Sequence, residues 1–285
     1  MSLTHADLTP VAAAAWAAVA RPDLGAAGNA GFVDLGGSTV VFDTHVTVAA
    51  GHELRAAADA VAPVQAVALS HWHLDHVLGG QAFGGIRSIA TAETRRLIQE
   101  RALPRVTTLR STVDDWLPEQ LAELRAAGKN AAADLWERLA AEELPTVEVV
   151  PPDEVFTDER ELVGERRRAA LITYGGGHTA SDAFLWLEDE RILFAADLVV
   201  NGDHAWVGDG DVSAWIGILE RISELGPRSI VPGHGAVCGP ETIELMLRYL
   251  DDVRRAEPGS PVPDAYSHFP TSSMWERNLR ALAGA

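Results

Sequence analysis

The chain has very little cysteine and lysine, with one of each among its 285 residues. A single cysteine, Cys238, excludes an intrachain disulfide and a cysteine-built zinc site, which is typical of a reducing compartment. Because Lys129 is the only lysine, arginine, a metal or backbone amides would have to hold any substrate carboxylate. No apolar run is long enough to span a membrane. We therefore expect a cytoplasmic location and no membrane partner.

Positive charge is also scarce, since 23 basic residues stand against 41 acidic ones and the net charge is −18. Nucleic-acid binding needs clustered cations to replace the counterions of the phosphates, so we expect no nucleic-acid partner. The length allows one large α/β domain or two small ones. We expect a single domain over residues 1–285.

The N-terminal segment Val11–Ala20 has the length and small-residue ending of a signal-peptide core. The residues before it include Asp7 and no lysine or arginine, whereas an export signal starts with positive charge. The composition therefore favours an alanine-rich amphipathic helix, with a cleaved signal as the alternative.

The next part of the chain alternates between strand and helix patterns. Two apolar segments, 31–35 and 39–43, flank Gly36-Gly37 and predict a β-hairpin. The further predicted elements are a helix over 51–62, a strand over 64–69, a strand over 86–90 and a helix over 91–101.

The segment 111–144 has leucines at helical spacing on both sides of Gly128 and predicts a helical hairpin inserted into the domain. The hairpin could pack on the outer face, or form a lid or a homodimer arm. We expect the tail, residues 258–285, to dock on its own domain, with a dimer contact as the alternative. A second sheet and its helices are predicted at 146–150, 155–156, 161–163, 168–174, 183–187, 191–195 and 229–231 (strands) and at 211–225, 240–256 and 274–282 (helices).

Residues 71–76, which read His-Trp-His-Leu-Asp-His, place three imidazoles and a carboxylate immediately after a predicted buried strand. This spacing is typical of metal ligands, although a polar loop that happens to contain histidines is the alternative. Three later residues, His178, Asp197 and His234, also follow apolar strands. Open α/β sheets place their sites at such strand ends.

Together these positions supply seven donors, enough for a site with two metal ions. Imidazoles and carboxylates suit Zn²⁺, with Fe or Mn as substitutes, and open coordination positions favour catalysis. The donors are His71, His73, Asp75, His76, His178, Asp197 and His234.

In order and over nearly the whole chain, these motifs resemble those of metallo-β-lactamase-fold hydrolases, with Asp43 at the first motif. The resemblance implies an αββα sandwich of two mixed β-sheets. It also implies that His71, His73 and His178 hold one zinc, that Asp75, His76 and His234 hold the other, and that Asp197 bridges them.

The implied mechanism uses a metal-bridging hydroxide to attack a small carbonyl substrate. Asp75 is the candidate for orienting that hydroxide and moving its proton. Asp43 would fix the histidine loop by hydrogen bonds, although it could equally be a turn former.

At several positions this chain has a different residue from the one that is typical of known subfamilies. Zinc β-lactamases of the main class have a ligating cysteine where this chain has Asp197 and a lysine where it has Val200, so β-lactam hydrolysis is expected only as a weak side activity. Acyl-homoserine-lactone lactonases have a tyrosine at the position of Val200. The segment 196–200 also lacks the glyoxalase II pattern, and flavodiiron proteins have a glutamate in place of one motif histidine.

Three residues near the donors, Trp72, His204 and Trp206, are candidates for the substrate pocket. His5, His45, His52 and His268 lie outside the donor clusters, and we expect them at the surface. The leading hypothesis is a dizinc hydrolase of an ester, thioester, lactone or amide. A phosphodiesterase or nuclease on the same scaffold and a non-catalytic metal-binding module are the alternatives.

Overall fold

The computed structural model describes residues 3–270 and 273–284. Their contacts divide the chain into two compact units, one formed by residues 3–156 with 163–167 and the other by residues 157–162 with 168–270 and 273–284. Each unit is built on one mixed β-sheet with its helices. The predicted α/β class with two mixed sheets is confirmed, and the single domain over 1–285 stays a prediction.

The sheet of the first unit has seven strands among the described residues, and their spatial order is their order in the chain. They are β1 (Ala6–Ala12), β2 (Ala15–Ala20), β3 (Ala30–Asp34), β4 (Thr39–Phe42), β5 (Val64–Ala68), β6 (Ser88–Thr91) and β7 (Glu154–Phe156). Strands β1 to β4 are antiparallel, and β4 to β7 are parallel. The hairpin predicted around Gly36-Gly37 is formed by β3 and β4, with Phe32 opposite Val41.

The helix expected over Val11–Ala20 is wrong, because β1 and β2 form an antiparallel hairpin there. Alanine favours helices in isolation, but tertiary packing overrides that preference. Strand β2 lies between β1 and β3, and Ala15 and Ala17 are fully buried in it. Trp16 stacks on Phe32 of the neighbouring strand with ring centroids 5.0 Å apart.

The helices of the first unit surround this sheet. They are α1 (Val48–Asp59), α2 (Leu74–Val77), α3 (Ala92–Leu97), α4 (Leu103–Ser111), α5 (Val113–Ala126) and α6 (Asn130–Glu142), with 3₁₀ turns at Pro22–Leu24 and Leu78–Phe83 and a π-helical turn at Ile98–Ala102. Thr47 caps the N-terminus of helix α1, because its hydroxyl oxygen accepts a hydrogen bond from the Ala50 amide at 3.2 Å.

Helices α5 and α6 are the helical hairpin predicted for 111–144, and they are anchored on their own unit. Lys129 between them pairs with Asp23 at 2.7 Å. Just beyond α6, the two carboxylate oxygens of Glu143 accept hydrogen bonds from the amides of Val48 and Ala49, each at 2.9 Å. Glu143 therefore satisfies two of the amides that begin helix α1.

The sheet of the second unit has five strands among the described residues, in the order β12-β11-β10-β9-β8. They are β8 (Glu159–Val163), β9 (Arg168–Gly175), β10 (Asp182–Leu187), β11 (Ile192–Val200) and β12 (Ser229–His234), and the helices are α7 (Val212–Leu225), α8 (Glu241–Arg255) and α9 (Ser273–Ala283), with a 3₁₀ turn at Asp264–Tyr266. Strands β11 and β12 are parallel, while β9 to β11 are antiparallel.

Two predictions about this sheet are wrong. The segment 146–150 is irregular in the described chain, although Val147 and Val149 are buried in the core of the first unit. The side chains of these two alternating valines fill the core, although the described segment does not pair as a β-strand. Strand β7, expected in the second sheet, pairs in parallel with β6 of the first.

The C-terminal tail packs on the core of the second unit, because Trp275 and Leu279 of α9 are buried in that core. The prediction for 258–285 also covers Thr271, Ser272 and Ala285, which lie outside the described residues. Among the helices of the described chain, none combines the length and the apolar composition required to cross a membrane.

Candidate metal centre

The first unit brings four donors together in the loop that follows β5. The His71 ring lies 4.7 Å from that of His73 and 4.5 Å from that of His76, measured between centroids. A carboxylate oxygen of Asp75 lies 3.8 Å from Nε2 of His76. Helix α2 begins within this loop, which places Asp75 and His76 on consecutive helical residues. The predicted motif is thus a compact cluster of nitrogen and oxygen donors.

Asp43 orients two of these imidazoles. Its Oδ2 accepts a hydrogen bond from His76 Nδ1 at 2.8 Å and one from the Ser70 hydroxyl at 2.7 Å. Since that hydroxyl donates to Asp43, its oxygen accepts from His71 Nδ1 at 2.9 Å. Both rings then carry their proton on Nδ1 and keep a lone pair on Nε2, the arrangement that a metal ligand needs.

This carboxyl group is fully buried, and burial raises the pKa of Asp43, although hydrogen bonds from His76 and Ser70 lower it in part. Asp43 was predicted to fix the loop. Ser70 was not singled out from the sequence, and its only sequence signal is its position next to His71.

His45 is a second residue whose place the sequence did not reveal. It was expected at the surface together with His5, but both are buried in the first unit; His52 and His268 are exposed as expected. Nδ1 of His45 donates to the Gly28 carbonyl at 2.8 Å, and burial lowers the pKa of His45 to about 4. A β-carbon on Gly28 would lie 2.9 Å from His76 Nε2, so glycine keeps the donor atom accessible at this point.

The second unit supplies three donors centred on Asp197. One of its oxygens lies 3.2 Å from His178 Nε2, and the other lies 3.4 Å from His234 Nε2. Two ligands of a tetrahedral zinc, each at about 2.0–2.1 Å, would be about 3.3 Å apart. Asp197 is therefore spaced to share one cation with each histidine, and the donor set fits metal binding.

The ring orientation of His178 supports this fit. Its Nδ1 donates to the Trp206 carbonyl at 3.1 Å, because a carbonyl can only accept. Nε2 then needs either a second proton or a cation between itself and Asp197. Either a proton or a metal ion would satisfy the pair of His178 and Asp197.

The loop that carries His178 is held by Asp182, which sequence reasoning missed. Its carboxylate accepts hydrogen bonds from the amides of Gly177 and Thr179 at 2.8 and 3.0 Å, and from the Thr179 hydroxyl at 2.9 Å. Burial raises the pKa of Asp182, while His178 and these hydrogen bonds lower it in part. The sequence signal that could have found it is an aspartate that opens an apolar strand after a glycine-rich turn.

The sequence predicted Asp197 at the end of a strand. In the structure it lies at an irregularity within β11. The register between β11 and β12 shifts on both sides of Ala196, whose φ is +45°. Such bulges redirect a side chain next to a functional site. On the facing strand, a β-carbon at Gly233 would lie 2.6 Å from the Asp197 amide nitrogen, so this approach needs glycine.

The three predicted pocket residues have different surroundings. Trp72 is half-buried and contacts His73 edge to face, with centroids 4.5 Å apart. Trp206 donates its indole proton to Asp209 at 2.7 Å. His204 is buried, and its ring lies 5.2 Å from that of Phe269. The contacts of His204 are those of a packing residue, and a substrate role for all three stays a prediction.

The chain is similar to known proteins whose names indicate different activities. The sequence profile of the Metallo-beta-lactamase superfamily matches residues 24–234. The chain is 33% identical to the metallo-beta-lactamase type 2 of Bacteroides fragilis over 36% of this chain and 45% of that protein. It is 28% identical to the acyl-coenzyme A thioesterase MBLAC2 of Bos taurus over 69% of this chain and 66% of that protein.

The matched part of the chain thus spans less than half of the bacterial relative and about two thirds of the bovine one. Among solved structures, a metallo-beta-lactamase from Erythrobacter litoralis superposes with a TM-score of 0.64 at 19% identity, covering 88% of this chain and 99% of that one. This likeness shows the fold, as the sequence predicted. With the profile match over most of its length, the chain belongs to the metallo-β-lactamase superfamily.

Proposed function

We propose that the chain is a dizinc hydrolase whose two donor sets act together. His71, His73 and His178 would hold one zinc, Asp75, His76 and His234 would hold the other, and Asp197 would bridge them, with Fe or Mn as substitutes. The observation that carries the proposal is the position of Asp197, whose two oxygens lie 3.2 and 3.4 Å from two different histidines. One carboxylate so placed is suited to two cations.

Bound zinc would lower the pKa of water towards neutrality and polarise a substrate carbonyl. Asp75, half-buried beside His76, would accept and return the proton of the attacking water. Asp43 would keep His71 and His76 in the tautomer that leaves Nε2 available, through the hydrogen bonds described above.

The proposed substrates are small carbonyl compounds: an ester, thioester, lactone or amide. Two named relatives support this class, since a β-lactam is a cyclic amide and an acyl-coenzyme A is a thioester. We place β-lactam cleavage second, as a weak side activity, because Asp197 and Val200 replace the cysteine and lysine of the main zinc β-lactamases. The cytoplasmic location stays a prediction.

The test measures metal content and turnover of acetyl esters and acetyl thioesters on the same samples. The purified protein should contain close to two metal ions per chain, lose turnover on chelation and regain it with Zn²⁺. His73→Ala should lose metal and most of its activity. His52→Ala is the matched control, because His52 is an exposed histidine of the same unit outside the donor cluster.

Full activity of the metal-free protein would refute the proposal, and so would an active His73→Ala variant. Cleavage of a bis-aryl phosphate without any ester or thioester cleavage would instead favour the phosphodiesterase hypothesis.

A further inference from the structure

A cavity of about 290 Å³ lies within the first unit, between the helical hairpin and the histidine loop. Leu74 and Leu78 form the wall on the side of the loop. Helices α4, α5 and α6 supply most of the remaining wall, including Trp116 and Trp136. Leu74 is the residue between His73 and Asp75, so the cavity wall and two candidate donors share one short stretch of backbone.

Apart from the exposed Gln120, the polar side chains around this cavity are already engaged within the protein. Glu143 accepts two backbone amide protons, and the Thr47 hydroxyl donates to the Gly25 carbonyl. The indole protons of Trp116 and Trp136 go to the carbonyls of Leu109 and Pro22. Because these groups have partners, a ligand in the cavity would be recognised mainly through apolar contact.

From this arrangement we infer that the cavity binds the acyl chain of the substrate. The inference rests on the proposed hydrolase function and adds the substrate class, an ester or thioester of an unbranched aliphatic acid. A water-sized group occupies about 30 Å³, and a methylene is of similar size, so the cavity has room for about eight to ten carbons. The polar part of the substrate would remain at the donor atoms beside Leu74.

Chain length provides the first test. In a series of acyl esters from acetyl to tetradecanoyl, kcat/KM should rise about fourfold for each methylene. The rise should end at about eight to ten carbons, where the cavity is full. A flat profile with measurable acetyl ester cleavage would overturn the acyl pocket and leave the hydrolase intact, whereas no cleavage of any ester would count against the hydrolase.

Ala140→Phe gives a more specific test, because Ala140 lines the cavity on α6 and is only partly exposed. The phenyl ring should shorten the preferred chain by about three carbons, lowering kcat/KM for decanoyl esters about 50-fold. The ratio of kcat/KM for decanoyl esters to kcat/KM for acetyl esters should therefore fall by a similar factor. The matched control is Ala141→Phe, since Ala141 is the next residue on the same helix and is exposed.

A binding measurement separates the acyl pocket from catalysis. In the metal-free protein, an ω-brominated decanol should quench tryptophan fluorescence, because Trp116 and Trp136 line the cavity. Ala140→Phe should weaken this quenching and Ala141→Phe should not. Equal quenching in wild type and both variants, or none in wild type, would overturn the assignment.

Discussion

The two units supply their donors in different ways. In the first unit, four donors lie within residues 71–76 and need only one loop to meet. In the second, His178, Asp197 and His234 come from a loop after β9, a bulge in β11 and the end of β12. The first set depends on local sequence and on one buried carboxylate, whereas the second depends on strand register. Substitutions that disturb register should therefore harm the second set most.

Asp197→Asn should have the largest effect. The substitution keeps the shape of the side chain but removes the charge from the group that lies between two imidazoles. We expect ester hydrolysis to fall by about three orders of magnitude. Metal analysis should show fewer than two ions per chain, and two retained ions with near wild-type turnover would contradict the bridging role.

Gly233→Ala should disturb the second donor set through the backbone. The added β-carbon would press on the Asp197 amide and side chain, so we expect a loss of about 2–3 kcal/mol in the free energy of unfolding, together with weaker metal binding. Urea denaturation measures the first effect. Gly217→Ala in α7 is the control, because a β-carbon there meets open space and should stabilise the helix by up to about 1 kcal/mol.

The buried aspartates of the two units should give different results when each is changed to asparagine. Asp43 accepts its hydrogen bonds partly from His76, so Asp43→Asn should weaken metal binding about 10- to 100-fold. Asp182 accepts from the loop residues Gly177 and Thr179, so Asp182→Asn should mainly cost about 1–3 kcal/mol of stability. Zinc titrations and denaturation curves on both variants compare the effects, and equal losses of metal affinity would contradict this distinction.

The substitution His204→Gln should have the smallest effect. It distinguishes a packing histidine from the donor histidines. Burial lowers the pKa of His204, and Asp203 raises it in part. Below about 6.5, the pKa of histidine in the unfolded chain, His204 is protonated in a larger fraction of unfolded chains than of folded chains. The free energy of unfolding should therefore fall as the pH falls. In His204→Gln this part of the pH dependence, which corresponds to a difference of less than one bound proton between the two states, should disappear. The metal content should stay unchanged. Loss of metal would assign His204 to the site.

Much of the candidate site could be predicted because its chemistry is local. The spacing of residues 71–76 identifies metal donors without any structure, and glycine-rich turns mark His178 and His234. The helical hairpin and the hairpin of β3 and β4 followed from leucine spacing and from Gly36-Gly37. These features depend on residues that are close together in the chain.

The tertiary structure decided what depends on distant neighbours. Residues 11–20 form strands because β3 pairs beside them and buries their alanines, which no propensity of the segment reveals. Ser70, His45 and Asp182 gain their roles from hydrogen bonds and burial that only folding creates. The apolar cavity likewise exists only where the helical hairpin meets the histidine loop. The sequence alone thus determined the kinds of donor atoms, and folding determined their orientation and the space beside them.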